Sequence, residues 1–149
     1  RQQLDQAMPL TLMMLDIDHF KSINDRHGHG VGDQVLRTFA HALQEQLRDG
    51  ELFARLGGEE FVVILPGLAP EHAQFTAERL RRAVQDLHLT HADPRLQMTV
   101  SIGLAGCAEG GPSPALDALL VCADKALYRA KAHGRNCVEF ADQALRQTV

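Results

Sequence analysis

Polar and apolar positions alternate along the chain in two distinct rhythms. Leu10 and Leu12–Leu15 form a continuous apolar run closed by two acids, which predicts a buried strand over 10–18. A short helical stretch over 19–27 follows, stopped by Gly28. Val35, Leu36, Phe39, Leu43 and Leu47 recur at the 3.6-residue period and predict a helix over 33–47. Two short apolar runs, 52–54 and Phe61–Leu65, flank Gly57-Gly58, a hairpin signal because tight turns need a positive φ that glycine reaches cheaply. After Pro66-Gly67, Ala73, Ala77, Leu80 and Val84 predict a helix from about Pro70 to Asp86. Leu96, Met98, Val100, Ile102 and Leu104 alternate with polar or small residues, the period of a half-buried strand. A Gly/Pro-rich loop over 109–114 leads to a helix marked by Leu116, Leu119, Leu120, Ala123 and Leu127 and ended by Gly134; a short strand over 137–140 completes the chain. The order β-α-α-β-β-α-β-α-β describes a mixed sheet faced by helices.

The 149 residues, 45% apolar and 23% charged, suit one ordinary globular domain over 1–149. Fifteen Lys and Arg against nineteen Asp and Glu leave a formal charge of −4, a poor match for duplex nucleic acid, whose affinity rests on many phosphate contacts. That balance still admits one small phosphorylated ligand. The longest apolar runs fall far short of the roughly 20 residues that span a bilayer, so no membrane contact by this domain is expected. Three cysteines without C-x-x-C spacing argue against structural zinc and a disulfide framework, and for a reducing compartment.

The chemistry concentrates in two acidic pairs. Asp16 and Asp18 are two apart and share a sheet face; Glu59 and Glu60 sit at the tip of the Gly-Gly hairpin. If that hairpin pairs beside the first strand, Asp16 and Glu59 converge. Two unit charges about 4 Å apart repel by about 4 kcal/mol at an effective dielectric near 20. Mg²⁺ is the natural relief, with the Ile17 carbonyl as an additional oxygen ligand. Gly57 and Gly58, lacking Cβ, would let a phosphate chain approach the backbone. The bland alternative is a set of acids capping a strand and a turn on a solvated edge. His27-x-His29 has no further ligand spaced to complete a zinc site.

The stretch from Leu15 through Asp16-Ile17-Asp18-His19-Phe20-Lys21 to Asn24-Asp25 resembles the first signature of the GGDEF family of diguanylate cyclases. Arg55-Leu56-Gly57-Gly58-Glu59-Glu60-Phe61 resembles the name-giving motif in its GGEEF form. Thr99–Gly103, Ala123–Lys131 and Gly134-Arg135-Asn136 resemble the later blocks, in family order and spacing. The resemblance implies an α+β fold, a mixed central sheet flanked by helices in the ferredoxin-like, polymerase-palm-like arrangement of nucleotide cyclases. It implies a bacterial signalling enzyme that converts two GTP into cyclic di-GMP and two pyrophosphates, with Mg²⁺ or Mn²⁺, between two facing domains.

Carried over by position, Asp16, the Ile17 carbonyl and Glu59 match metal ligands, and Glu59 also the group that helps deprotonate the attacking 3′-hydroxyl. Glu60 is essential to the motif. Asn24 and Asp33 fall where the family reads guanine, His29 near the nucleotide, and Lys21, Lys131 and Arg135 at phosphate-contacting positions. A carboxylate at 33 can accept from guanine N1–H and N2–H₂ together, a pair adenine lacks, worth about 1–3 kcal/mol of discrimination. Taken alone, Asp33 reads first as a first-turn acid favouring its helix dipole, a role compatible with base recognition, and Lys131/Arg135 as an i, i+4 pair of surface cations.

Two departures stand out. The family's product-binding inhibitory site, R-x-x-D, reads Arg48-Asp49-Gly50-Glu51, so the longer Glu51 should weaken or abolish product inhibition. The family's usual leading segment is missing before Arg1–Met8, which matches only the end of a helix. The expectation is a mostly monomeric, sluggish fragment that must form a homodimer to turn over, and a cytoplasmic domain whose parent can be anchored in the inner membrane through missing N-terminal regions. The rival is a silent GGDEF-like module that binds GTP or cyclic di-GMP; the complete catalytic set argues against it.

Overall fold

The computed structural model describes residues 8–89, 96–107, 110 and 115–141. Most of the leading segment and nearly all of the 109–114 loop lie outside the described residues. The elements are β1 (Leu10–Ile17), α1 (Phe20–His27), α2 (His29–Gln46), β2 (Leu52–Gly57), β3 (Glu60–Pro66), α3 (Pro70–Gln85), β4 (Val100–Cys107), α4 (Leu116–Ala132) and β5 (Val138–Phe140). The sheet order is β2-β3-β1-β4-β5, antiparallel except for the β4–β5 pair, which α4 connects. The most apolar strand, β1, lies at the centre, where both of its faces must be covered.

Side-chain alternation sorts β1 between two cores. Met13, Leu15 and Ile17 join Phe61, Val63, Ile102 and Leu104 beneath α1, α2 and α3. Leu12 and Met14 join Val62, Ala105, Leu119, Ala123 and Leu127 beneath α4. Asp16, next in the even series, therefore faces α4.

Three expectations change. The strand expected over 96–104 begins at Val100, because β1 ends at Ile17, the ladder partner of Val100; Met98 is buried without a strand partner. That strand is buried on both faces rather than half-buried. Its small residues form a tight seat for α4: a Cβ on Gly103 would lie 2.3 Å from both the Ala123 carbonyl oxygen and the Leu127 nitrogen. Finally, α2 starts at His29, one turn before the expected Asp33, because Val31 extends the apolar stripe backward and packs against the core.

Candidate functional site

The end of β1 carries the charge. Asp16 pairs across the ladder with Glu60 on one side and Ser101 on the other, and directly opposed residues share a face. The hairpin between β2 and β3 has Gly58 and Glu59 at its tip, closed by the Gly57–Glu60 pair. Gly58 stands at φ +51°, where glycine is favoured, and its carbonyl accepts a hydrogen bond from Arg55 Nε at 2.8 Å. Gly57 has no positive φ, and a Cβ there would meet nothing within 4 Å. Only one of the paired glycines is thus demanded by the turn. The Ile17 N–H donates to the Glu59 carbonyl at 3.4 Å, so the hairpin tip docks on the end of β1.

Asp16, Glu59 and Glu60 are thereby gathered. Asp16 is 5% exposed. Burial pushes its carboxyl above the ordinary value, Lys131 opposes that rise, and Glu59 and Glu60 add to it through repulsion. Lys131 Nζ, from the last turn of α4, donates to Asp16 Oδ2. Among the described residues no three His, Cys, Asp or Glu side chains already stand at metal-holding distance. The oxygen donors available, Asp16, Glu59 and the Ile17 carbonyl, suit a hard divalent cation once Lys131 yields its place on Asp16. Ile17 itself is buried in the core, so only its backbone is on offer.

Asp18 does not join that group. Its Oδ1 accepts from Ser101 Oγ at 2.6 Å, and its Oδ2 from Thr99 Oγ1 at 2.7 Å and the Asn136 N–H at 2.9 Å. Nor do Lys131 and Arg135 form a helical i, i+4 pair. The helix ends at Ala132, Gly134 turns to φ +114°, and Arg135 follows at φ +66° on an exposed turn.

Asn24 lies in α1 and Asp33 in the second turn of α2, next in sequence to Gly32. The Asn24 Oδ1 is buried without a hydrogen-bond partner in the described structure. A Cβ on Gly32 would stand 1.7 Å from that oxygen, so glycine at 32 creates the seat of the amide. Gly32 falls just before the helix that the apolar stripe predicts over 33–47, so nothing in the sequence marks it as part of this site. Lys21, in the first turn of α1, is exposed, as is His29 at the start of α2; neither touches the acids through a recorded bond. Arg48 and Glu51 precede β2, whose six residues, roughly 20 Å of strand, separate Glu51 from the hairpin tip. There the Glu51 carboxylate accepts from the Arg48 backbone N–H at 2.7 Å. A groove of about 530 Å³ opens beside them, lined by His72, Phe75 and Arg79.

The family model for "Diguanylate cyclase, GGDEF domain" matches residues 1–137. The chain is 46% identical over 132 residues to the response regulator PleD of Caulobacter vibrioides, covering 87% of this chain and 29% of PleD. It is 44% identical over 136 residues to the probable diguanylate cyclase DgcF of Escherichia coli K12, covering 89% and 43%. It thus spans less than half of either relative. Among solved structures, the active GGEEF domain of a diguanylate cyclase from Vibrio cholerae superimposes with TM-score 0.82 at 32% identity, covering 95% of this chain and 87% of that one. The GGDEF domain of DgcB from Caulobacter crescentus, in complex with c-di-GMP, gives 0.79 at 36%, covering 89% and 77%. Sequence motifs, family match and superposition agree: the chain belongs to the GGDEF-domain family of diguanylate cyclases.

Proposed function

We propose that this domain condenses two GTP molecules into cyclic di-GMP, releasing two pyrophosphates. The observation that carries the reading is the docking of the hairpin tip on β1, which crowds three acids around one lysine. Such crowding costs stability unless a cationic ligand relieves it. Gly57 adds to this: neither conformation nor contact requires glycine there, so its open side leaves room for a phosphate chain beside the acids.

In this reading Asp16, the Ile17 carbonyl and Glu59 hold Mg²⁺ or Mn²⁺. Bound there, the ion supplies Lewis acidity to the 3′-hydroxyl and charge neutralisation to the departing pyrophosphate. Glu59 takes the 3′-hydroxyl proton as that oxygen bonds to the α-phosphorus and the bond to the β-phosphate oxygen breaks. Glu60, opposite Asp16, keeps the local field negative so that a cation is held there. Asn24 and Asp33 bind the guanine edge, with His29 at the rim. Lys21, Lys131 and Arg135 bind the phosphates, Lys131 moving from Asp16 to do so. One domain carries one such set, and the product has two phosphodiester bonds, so turnover takes a second copy facing the first. Arg48 and Glu51 form a degenerate inhibitory site.

Incubation with GTP and Mg²⁺ at high protein concentration, followed by chromatography of the nucleotides, tests this. Cyclic di-GMP and pyrophosphate in a one-to-two ratio are expected, and none from Glu59→Ala. GTP binding without product would identify a silent nucleotide-binding module instead. Sedimentation is expected to show mostly monomer at micromolar protein.

A further inference from the structure

Two residues beyond Asp16, a second buried carboxylate has no part in the chemistry above. Asp18 is 5% exposed, and three donors fill it: Ser101 Oγ and Thr99 Oγ1 from β4 and its approach, and the backbone N–H of Asn136. The third donor is the informative one. Asn136 belongs to the turn between α4 and β5, where Gly134, Arg135 and Asn136 run at φ +114°, +66° and +49°. A non-glycine residue in the left-handed region costs on the order of 1–2 kcal/mol, so two in succession persist only where surrounding contacts hold them. The contacts here are few and specific. Arg135 N–H donates to the Ala130 carbonyl at 3.0 Å, and Arg81, itself ion-paired with Glu78, donates to Asn136 Oδ1 at 2.9 Å. The charged anchor on the turn's own backbone is Asp18, and it follows directly on the end of β1, two residues after Asp16.

We propose that Asp18 is a positioning residue: its carboxylate fixes the left-handed turn that presents Arg135, and so sets Arg135 relative to Asp16. This rests on the reading of Arg135 as a phosphate contact. The hydrogen bonds are what matter, and the charge is secondary. An asparagine at 18 can still accept from Asn136 N–H and Thr99 Oγ1 through its oxygen, and donate to Ser101 Oγ, whose hydroxyl can turn to accept. A metal ligand would not tolerate that exchange.

Asp18→Asn, Asp18→Ala, Arg135→Ala and the double Asp18→Ala/Arg135→Ala are compared for kcat, KM for GTP, Mg²⁺ dependence and GTP affinity by titration. Asp18→Asn is expected to keep all four within about threefold. Asp18→Ala is expected to raise KM and weaken GTP affinity about 10- to 100-fold, as Arg135→Ala does, with the double variant no worse than either single. Loss of turnover in Asp18→Asn with a raised Mg²⁺ requirement, as expected for Asp16→Asn, overturns the proposal. So do single effects that multiply. If the parent chain binds GTP without cyclising it, the proposed activity fails while the same cycle, read in affinity, still decides the role of Asp18. Should Asp18→Ala not fold, Asn136→Val and Asn136→Gly take its place. Both lose the Arg81 bond to Oδ1, but only valine also resists φ +49°, so valine is expected to behave like Arg135→Ala and glycine to stay nearer the parent; equal effects of the two overturn the proposal.

Discussion

Substituting Gly32 by alanine should separate ligand recognition from stability. The new Cβ would lie 1.7 Å from Asn24 Oδ1, 2.8 Å from Asn24 Cγ and 3.4 Å from Phe20 Cζ. Ordinary contact distances require the Asn24 amide to retreat by about 1.5–2 Å. That retreat is cheap for the fold. The displaced atom ends a flexible side chain, and its Oδ1 gives up no hydrogen bond in leaving. The helix gains too, since alanine is favoured over glycine by about 1 kcal/mol within a helix. Recognition bears the loss. If Asn24 reads the guanine edge beside Asp33, disturbing that base contact costs about 1–3 kcal/mol, or roughly 5- to 150-fold in affinity. The assay pairs thermal melting with titration of GTP and ATP. Gly32→Ala should melt within a few degrees of the parent, bind GTP about tenfold or more weakly, and lose much of its preference over ATP. Unchanged GTP affinity would refute the role of Asn24; a large fall in Tm would refute the claim that the amide can yield.

Replacing Lys131 by methionine leaves Asp16 buried beside Glu59 and Glu60 without its cation. Because burial raises the Asp16 pKa, the penalty grows as pH climbs above the ordinary carboxylate range; at neutral pH about 1–3 kcal/mol of stability should go, and Mg²⁺ without nucleotide should raise the Tm of Lys131→Met more than that of the parent. Equal Mg²⁺ effects on the two proteins would count against a shared seat. Since the Glu51 carboxylate turns back onto the Arg48 N–H, calorimetric titration should show weak or no cyclic di-GMP binding at that groove; tight binding lost in Arg48→Ala would overturn this. Arg81 holds the Glu78 carboxyl below its ordinary value. The stability from that pair is present above a pKa of about 4.5 and lost as pH falls through the depressed value, so Glu78→Gln should flatten the acid limb of a Tm-against-pH curve. Parallel curves would remove the pair from the account.

What could be read without coordinates, and what could not, divides by range. The apolar run of β1, the helix stripes and the glycine hairpin are signals within a dozen residues, and the elements they predict form. Gly134 shows how two local signals compete: as a helix stop it contradicts a helical Lys131/Arg135 face, and the stop prevails. Covering of both faces of β4 was hidden because alternating large and small residues look the same whether the small side meets solvent or a helix; only the contact of Gly103 with α4 decides. The ion pair of Lys131 with Asp16 joins positions 115 apart in the chain, and the bond from Asn136 to Asp18 joins positions 118 apart. No periodicity encodes such pairs.

The two aspartates owe their different fates to the neighbours of a central strand. They lie on one face and two residues apart, so spacing alone treats them alike. On one side β3 places Glu60 opposite Asp16 and brings Glu59 to the strand end, and a carboxylate among carboxylates keeps its affinity for cations. On the other side β4 and the residue leading into it supply hydroxyls at 101 and 99, and the turn behind α4 supplies a peptide N–H; both reach Asp18, which their donors satisfy. Edge strands could not produce this contrast, since each has one neighbour. Placing β1 between an acidic hairpin and a hydroxyl-bearing strand lets adjacent positions of one face serve as an ion seat and as a structural anchor.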